Sequence, residues 1–270
     1  MTDADHQARS PRREPVFRGL EIIANTLVRA QNLDLRYAGL DNIPSAGGAV
    51  LAVNHTSYVD FVPAALGLYR AGRRARFMIK SEVMDVGIMR FLVNHTRTIT
   101  VDRSQGADAY RAAVASLRNG EMVVVYPEAT ISRSFELKEF KTGAVRMAAD
   151  AGVPVVPAIV WGAHRQWTKG GTRAMGRTGI PVSVRYGAPV TVDVDADAAT
   201  ERLRETMTGL LHQVQDEYGS HPVGEFWVPA RLGGSAPTPA QAAVIETEEA
   251  ARKAEARARK AAQRAEKGRR

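Results

Sequence analysis

Short apolar runs alternate with stretches of helical periodicity along most of the chain. Val16, Phe17, Leu20, Ile23, Leu27 and Val28 recur at helical spacing, with Arg18, Glu21, Asn25 and Arg29 opposite them. Residues 16–28 are therefore predicted to form an amphipathic helix. Its apolar face has two candidate partners, the protein core or a lipid surface, and periodicity does not choose between them. Residues 49–53 read as a buried strand and 58–70 as a helix; 76–79 as a strand and 82–93 as a helix; 98–101 as a strand and 107–119 as a helix. Residues 121–126 (EMVVVY) are the clearest buried strand, with β-branched side chains in a row. A helix over 142–151, strands over 153–160 and 182–186, and a long helix over 198–218 complete the series. Strands alternating with helices predict an α/β fold, a single domain with a central, mostly parallel β-sheet flanked by helices. In such sheets, sites form just beyond the carboxyl ends of the strands.

Composition narrows the picture at three points. The 270 residues contain no cysteine, which excludes disulfides, thiolate metal sites, iron–sulfur clusters and a cysteine nucleophile. The formal net charge is +8, which directs attention to an anionic partner. Residues 1–15 are polar and carry no apolar run, so they are expected to be a disordered N-terminus without a signal peptide. No apolar stretch reaches the roughly 18 residues a transmembrane helix needs. The expectation is a cytoplasmic protein peripheral to a membrane.

The charge is not evenly spread. From Glu246 to Arg270 there are nine basic and five acidic side chains, half of the net excess. This segment follows a Gly/Ser/Pro-rich linker at 233–239 and has almost no large apolar residues to bury. Three regions are expected: 1–15, a main domain over 16–235 that begins with the amphipathic helix, and a charged helical or disordered tail over 236–270.

Three polar clusters follow predicted strands. Asn54-His55 comes directly after the strand at 49–53, and Asp60 lies five residues further on. Five helical residues turn the chain by about 500°, so the two side chains stand roughly 140° apart on an ideal helix. They meet only if His55 sits in the turn before the helix begins. An imidazole held there by a carboxylate presents its second nitrogen as a base. A second Asn-His-Thr at 94–96 has Thr100, not Asp, five residues past its histidine. The next cluster, Thr100-Val101-Asp102-Arg103, ends a strand; Arg103 either pairs with a neighbouring acid or forks onto an anion, and Lys80 has the same choice. The third, Tyr126-Pro127-Glu128-Ala129-Thr130, brings a glutamate to the end of the most buried strand, where it needs a partner such as Arg103, Lys141 or a substrate hydroxyl. The polar loop with apolar punctuation over 131–143 suits the wall of a long, partly apolar substrate. No His/Asp/Glu set has metal-ligand spacing, so no metal is expected.

Taken together, Asn54-His55-x-x-x-x-Asp60, Val101-Asp102-Arg103, Tyr126-Pro127-Glu128-Ala129-Thr130 and Val153-Pro154-Val155-Val156-Pro157 stand in one order over about residues 30–220. This resembles the glycerolipid acyltransferase family, typified by bacterial 1-acylglycerol-3-phosphate O-acyltransferases. The resemblance implies that His55 is the general base that deprotonates the acceptor hydroxyl and Asp60 its orienting partner. It puts Lys80 and Arg103 where the family contacts the acceptor's phosphate. Glu128, with Thr130 in the same block, falls where the family supports the acceptor, and Pro157 closes the block on the acyl-donor side. The family's Glu-Gly-Thr-Arg is here Glu128-Ala129-Thr130-Ile131, so a glycine and a phosphate-binding arginine are replaced. Arg133 and Lys141 are the candidates to supply the missing cation.

The chemistry expected from the resemblance is direct transfer of an acyl group from acyl-CoA or acyl carrier protein to the free hydroxyl of a lysophospholipid at a membrane surface. It needs no cofactor and no acyl-enzyme. Thr56, Ser57 or backbone N–H groups at the start of the following helix are candidates to stabilise the oxyanion. Nucleic acid is not expected as a partner. Two alternatives stay open at this level. One is the same transfer to glycerol 3-phosphate, another lysophospholipid or a glycolipid; the other is a non-enzymatic basic module that binds lipid or nucleic acid.

Overall fold

A computed structural model of the chain describes residues 14–80, 87–101, 106–192 and 195–267. Contacts divide it into two compact units, Met1–Ile131 with Glu139–Ser220, and Ser132–Lys138 with His221–Arg270. The linker-based boundary at 235/236 thus falls inside the second unit, and seven residues of the loop after the clearest strand join that unit as well.

The first unit is a seven-stranded sheet in the order β1-β7-β6-β2-β5-β3-β4. The strands are β1 (Asp34–Ala38), β2 (Ala49–Val53), β3 (Ala75–Lys80), β4 (Ile99–Val101), β5 (Met122–Val125), β6 (Val155–Trp161) and β7 (Pro181–Tyr186). Every pairing is parallel except β6 with β7. The two central strands show why they are central. All five residues of β2 and all seven of β6 are buried, as their unbroken apolar sequences require of strands covered on both faces. β1 lies at the edge, and its sequence DLRYA alternates over only four residues, too short a pattern to stand out, so it escapes a sequence reading.

Helices α1 (Pro15–Ala30), α2 (Phe61–Arg70), α3 (Gly87–Thr96), α4 (Gly106–Arg118), α5 (Gly143–Ala151) and α6 (Ala196–Tyr218) belong to this unit. α2 leaves the carboxyl end of β2 and runs back over the sheet toward β7. Two tyrosine hydroxyls fix its height: Tyr186 donates to the Ala64 carbonyl (2.8 Å) and Tyr37 to the Pro63 carbonyl (3.0 Å). Gly67 makes this approach possible, since a Cβ there would stand 2.0 Å from the Tyr186 hydroxyl oxygen. α6 opens on an Asp195 cap that accepts from the N–H groups of Asp197 and Ala198.

α1 seats itself by Phe17 and its charges rather than by Ile22, Ile23 and Leu27. Glu21 is buried and accepts from Arg74 (2.8 Å), while Glu14, just before the helix, accepts from Arg76 (2.7 Å). Burial opposes the ionisation of Glu14, but the hydrogen bond and charge of Arg76, with Arg74 and Arg97 near it, hold its carboxyl below the usual range. The Phe17 ring is sandwiched into this network, with the guanidinium carbons of Arg74 and Arg76 5.3 and 5.1 Å from its centroid. Ile22, Ile23 and Leu27 point outward, between 54% and 59% exposed. Glu21, placed on the solvent side by periodicity, is thus on the docked side. Among the described residues no helix is long and apolar enough to cross a membrane.

The second unit contains α7 (Pro239–Lys267) and the segment 132–138. Arg133 pairs with Glu249, Lys138 with Glu246, and Arg231 with Glu136 at 2.7 Å. The tail drawn as helical or disordered is helical through Lys267.

Candidate active site

The chain turns sharply after β2, and a carboxylate organises that turn. His55 lies outside α2, in the loop, as the angular argument requires if it is to meet Asp60. Asp60 occupies the N-cap of α2 but does not cap it. Its Oδ2 faces back into the loop and accepts from three donors: His55 Nδ1 (3.0 Å), Thr56 N–H (3.2 Å) and Ser57 N–H (3.1 Å). Asp60 is 1% exposed, so a carboxylate there requires partners of this kind, and it has them. With Nδ1 donating to Asp60, the other ring nitrogen of His55 is left as an acceptor on a side chain that is 22% exposed.

Asn54 anchors the turn from its other end. Its side-chain amide reads the backbone of β6 like an added strand residue. It donates to the Val160 carbonyl (3.1 Å) and accepts from the Val160 N–H (2.7 Å). Asn54 is fully buried, and both amide atoms are satisfied. The loop after β6 closes a further side: Thr168 donates its hydroxyl to the Thr56 carbonyl (2.7 Å), and Tyr58 N–H donates to the Trp167 carbonyl (3.0 Å).

The loop after β5 supplies the floor. The Tyr126 ring stacks on the His55 ring, with centroids 4.3 Å apart and planes inclined by 27°. Its hydroxyl is shielded from solvent and closes no hydrogen bond. Burial, and the Asp60 carboxylate beside it, push the phenol well above its ordinary pKa, so it remains a neutral donor. Glu128 is 4% exposed, and its Oε1 accepts from the His55 backbone N–H at 2.7 Å. Two acids therefore hold His55, one through the ring and one through the main chain.

Ala129 adopts φ +59°, the left-handed conformation that a glycine takes without strain. An alanine thus holds a conformation that favours glycine, at the position where the resembled block has one. Ile131, where the resemblance expects an arginine, is buried, and the ammonium of Lys169 lies 3.5 Å from its carbonyl oxygen. A cation is delivered to this position from the loop after β6, thirty-eight residues away in sequence.

The other expected residues are placed as follows. Lys80 ends β3, on the same sheet edge as His55 and Glu128, though only its backbone is described. Arg103 lies outside the described residues. Thr130 is exposed, and its N–H donates to the Glu128 carbonyl (2.7 Å). Lys141 is exposed, with its N–H on the Pro127 carbonyl (2.9 Å). Arg133 belongs to the second unit, where it pairs with Glu249. Of the oxyanion candidates, the N–H groups of Thr56 and Ser57 are taken by Asp60 and that of Tyr58 by Trp167. The Ser57 hydroxyl is held between the carbonyls of Ala163 (3.1 Å) and Trp167 (2.8 Å). The buried Thr56 hydroxyl has no hydrogen-bond partner. Sequence reasoning missed the Tyr126 stack, the Asn54 clamp and Lys169. Only Asn54 carried a signal, as an amide beside the catalytic histidine candidate. Among the described residues no group of three or more acids and histidines is arranged to hold a metal ion.

A family model described as acyltransferase matches residues 34–161. The 1-acyl-sn-glycerol-3-phosphate acyltransferase of Limnanthes douglasii is 30% identical over 149 residues, 54% of this chain and 51% of that protein. The enzyme of the same name from Bacillus subtilis (strain 168) is 28% identical over 123 residues, 45% of this chain and 60% of its own. The chain spans about half the length of the plant relatives it matches. The crystal structure of the 1-acyl-sn-glycerophosphate acyltransferase PlsC from Thermotoga maritima has the same fold, with a TM-score of 0.61 over 78% of this chain and 85% of that one, at 21% identity.

Proposed function

We propose that the chain is a PlsC-like glycerolipid acyltransferase, since residues 34–161 match the acyltransferase family model, and that it transfers a fatty acyl group from a thioester, acyl-CoA or acyl carrier protein, to the free hydroxyl of 1-acylglycerol 3-phosphate, giving phosphatidic acid. The observation that carries this reading is the His55–Asp60 pair at the carboxyl end of β2, with the outer ring nitrogen left as an acceptor. The names of the curated relatives support the choice of acceptor.

In the proposed reaction the acceptor oxygen attacks the thioester carbonyl while its proton passes to His55 Nε2. Asp60 stabilises the imidazolium and holds the ring in one tautomer. Collapse of the tetrahedral intermediate breaks the carbon–sulfur bond, and the thiolate takes the proton back from His55. The Thr56 hydroxyl is the donor still unengaged in the turn and is assigned to the oxyanion. Lys80, Arg103 and Lys141, joined by Lys169, are assigned to the acceptor's phosphate, so that its free hydroxyl is presented to His55. Glu128 supports that site by fixing the His55 main chain. The proposed chemistry calls on these side chains and the two substrates, with no cofactor.

Peripheral attachment to the cytoplasmic face of the membrane is part of the proposal. Ile22, Ile23 and Leu27 on the exposed side of α1 support it, since outward apolar residues on a helix suit an interfacial position. The test is acyl transfer by the purified chain with labelled acyl-CoA and acyl carrier protein, each against lysophosphatidate, glycerol 3-phosphate and other lysophospholipids. Lysophosphatidate is expected to be the preferred acceptor, and the donor is then read directly. Equal or better use of glycerol 3-phosphate overturns the choice of acceptor, and no transfer to any of them overturns the reaction.

A further inference from the structure

One face of α7 reverses its charge halfway along the helix. Residues 239–250 contain Glu246, Glu248 and Glu249 and no basic side chain. Residues 251–267 contain seven basic side chains against Glu255 and Glu266. At 100° per residue, those seven fall within a sector of about 160°. Ala250, Ala251, Ala254, Ala258, Ala261, Ala262 and Ala265 occupy the opposite side. The basic sector contains the stripe 253, 257, 260, 264, 267, at alternating spacings of four and three.

Continued toward the N-terminus, the same stripe passes through Glu249 and Glu246. Those two acids meet Arg133 and Lys138 of the same unit. The proximal half of this face is therefore matched by opposite charge, and the sequence of the distal half carries the opposite sign. Arg252 and Lys253 are 71% exposed, and their acidic contacts are Glu248 (3.4 Å) and Glu249 (3.9 Å), one turn back on the same helix. Exposed pairs of this kind contribute little. Complementing the helix dipole accounts for basic residues in the last turn, but it does not account for cations drawn to one side over four turns.

We propose that the distal half of α7 lies on an anionic lipid surface, with the stripe from Lys253 to Lys267 facing phosphate headgroups. The proposal takes its choice of a membrane, rather than another polyanion, from the lipid-directed reading above. It also rests on the helix itself. Five stripe positions cover about 21 Å along one side of a straight rod, which fits a plane of charge. α7 carries no aromatic residue to stack on bases. Juxtamembrane basic residues bind anionic leaflets additively and lose that binding in salt.

The experiment uses the full chain with phosphatidylcholine vesicles, with and without phosphatidylglycerol, scored by co-sedimentation. Binding is expected to favour the anionic vesicles and to fall sharply in 0.5 M salt (about a 4 Å screening length). The variant K253Q/R257Q/K260Q/R264Q keeps good helix formers and is expected to lose partitioning on the order of a thousandfold. K253R/R257K/K260R/R264K is expected to retain it. Equal binding to both vesicle types, undiminished binding by the glutamine variant, or tighter binding to a DNA duplex than to the anionic vesicles overturns the proposal. Acyl transfer on detergent-dispersed substrate, assayed in parallel, is expected to be the same in the glutamine variant. If the unsubstituted chain shows no transfer there, the proposed reaction fails while the vesicle result still decides the role of α7.

Discussion

The tripeptide Asn-His-Thr occurs twice in the first unit, and the two copies have little else in common. Asn54-His55-Thr56 leaves the carboxyl end of the central strand. Asn94-His95-Thr96 ends α3 at the periphery. His55 has Asp60 on its ring, Tyr126 against its face and Glu128 on its main chain. His95 is exposed and donates to the Phe91 carbonyl of its own helix at 2.7 Å, with its ring beside that of Phe91. Asn54 is buried with both amide atoms paired to β6, whereas Asn94 is exposed. The same three residues thus become the proposed base or a helix end according to what the fold brings to them. What suits His55 to the proposed role is a carboxylate on its ring and a second acid on its main chain.

The comparison is broken most directly by deleting each imidazole. His55→Ala is expected to lower kcat by roughly 10²–10⁴-fold, the range of general-base catalysis, with an unchanged thermal midpoint. His95→Ala is expected to leave both within twofold. Loss at His95, or retained turnover at His55, removes the contrast. Asp60→Asn keeps the shape of the turn but not the charge, and kcat is expected to fall about 10²-fold with KM little changed. The asparagines sharpen the structural half of the contrast. Asn54→Ala strands a buried N–H and a buried carbonyl on Val160 and is expected to cost about 2 kcal/mol or more in chemical denaturation. Asn94→Ala is expected to stay within roughly 0.5 kcal/mol. The smallest effect belongs to Tyr126→Phe. The stacked ring remains, the lost hydroxyl makes no closed hydrogen bond, and kcat is expected to change by less than about threefold. A large loss there makes the phenol a working part of the Asp60 site.

Much of this fold is legible in the sequence because buried parallel strands are written as continuous apolar runs. β2 has the bounds read from its sequence, and β5 and β6 differ by one or two residues at their ends. β1 is not legible, because five mixed residues at a sheet edge are stabilised by a partner almost 150 residues away. At the site, His55 and Asp60 can be found from their spacing, but only on the condition that His55 lies in the turn before the helix begins. What spacing cannot report is contact between distant segments. Tyr126 reaches His55, Asn54 reaches Val160 and Lys169 reaches Ile131 through the order of strands in the sheet. α1 shows the opposite error of periodicity. Its pattern has more apolar residues than one docked face can cover, and the ion pairs of Glu14 and Glu21 decide which of them are left outside.

Gly67 ties the mechanics of the sheet to the alignment of the His55–Asp60 pair. It is seven residues from Asp60 along α2, about 10 Å, and it touches no part of the site. A methyl group there collides with the Tyr186 hydroxyl, so the helix must rise off the sheet to admit one. α2 behaves as a short lever pinned at that point, with Asp60 at its near end. Lifting it moves the carboxylate relative to an imidazole held independently by Asn54 and Glu128, whose anchors lie on other elements. The tolerance for a side chain at position 67 is therefore set by the alignment of a proton donor and acceptor two turns away, and the smallest residue in the helix is a gauge of the active-site geometry.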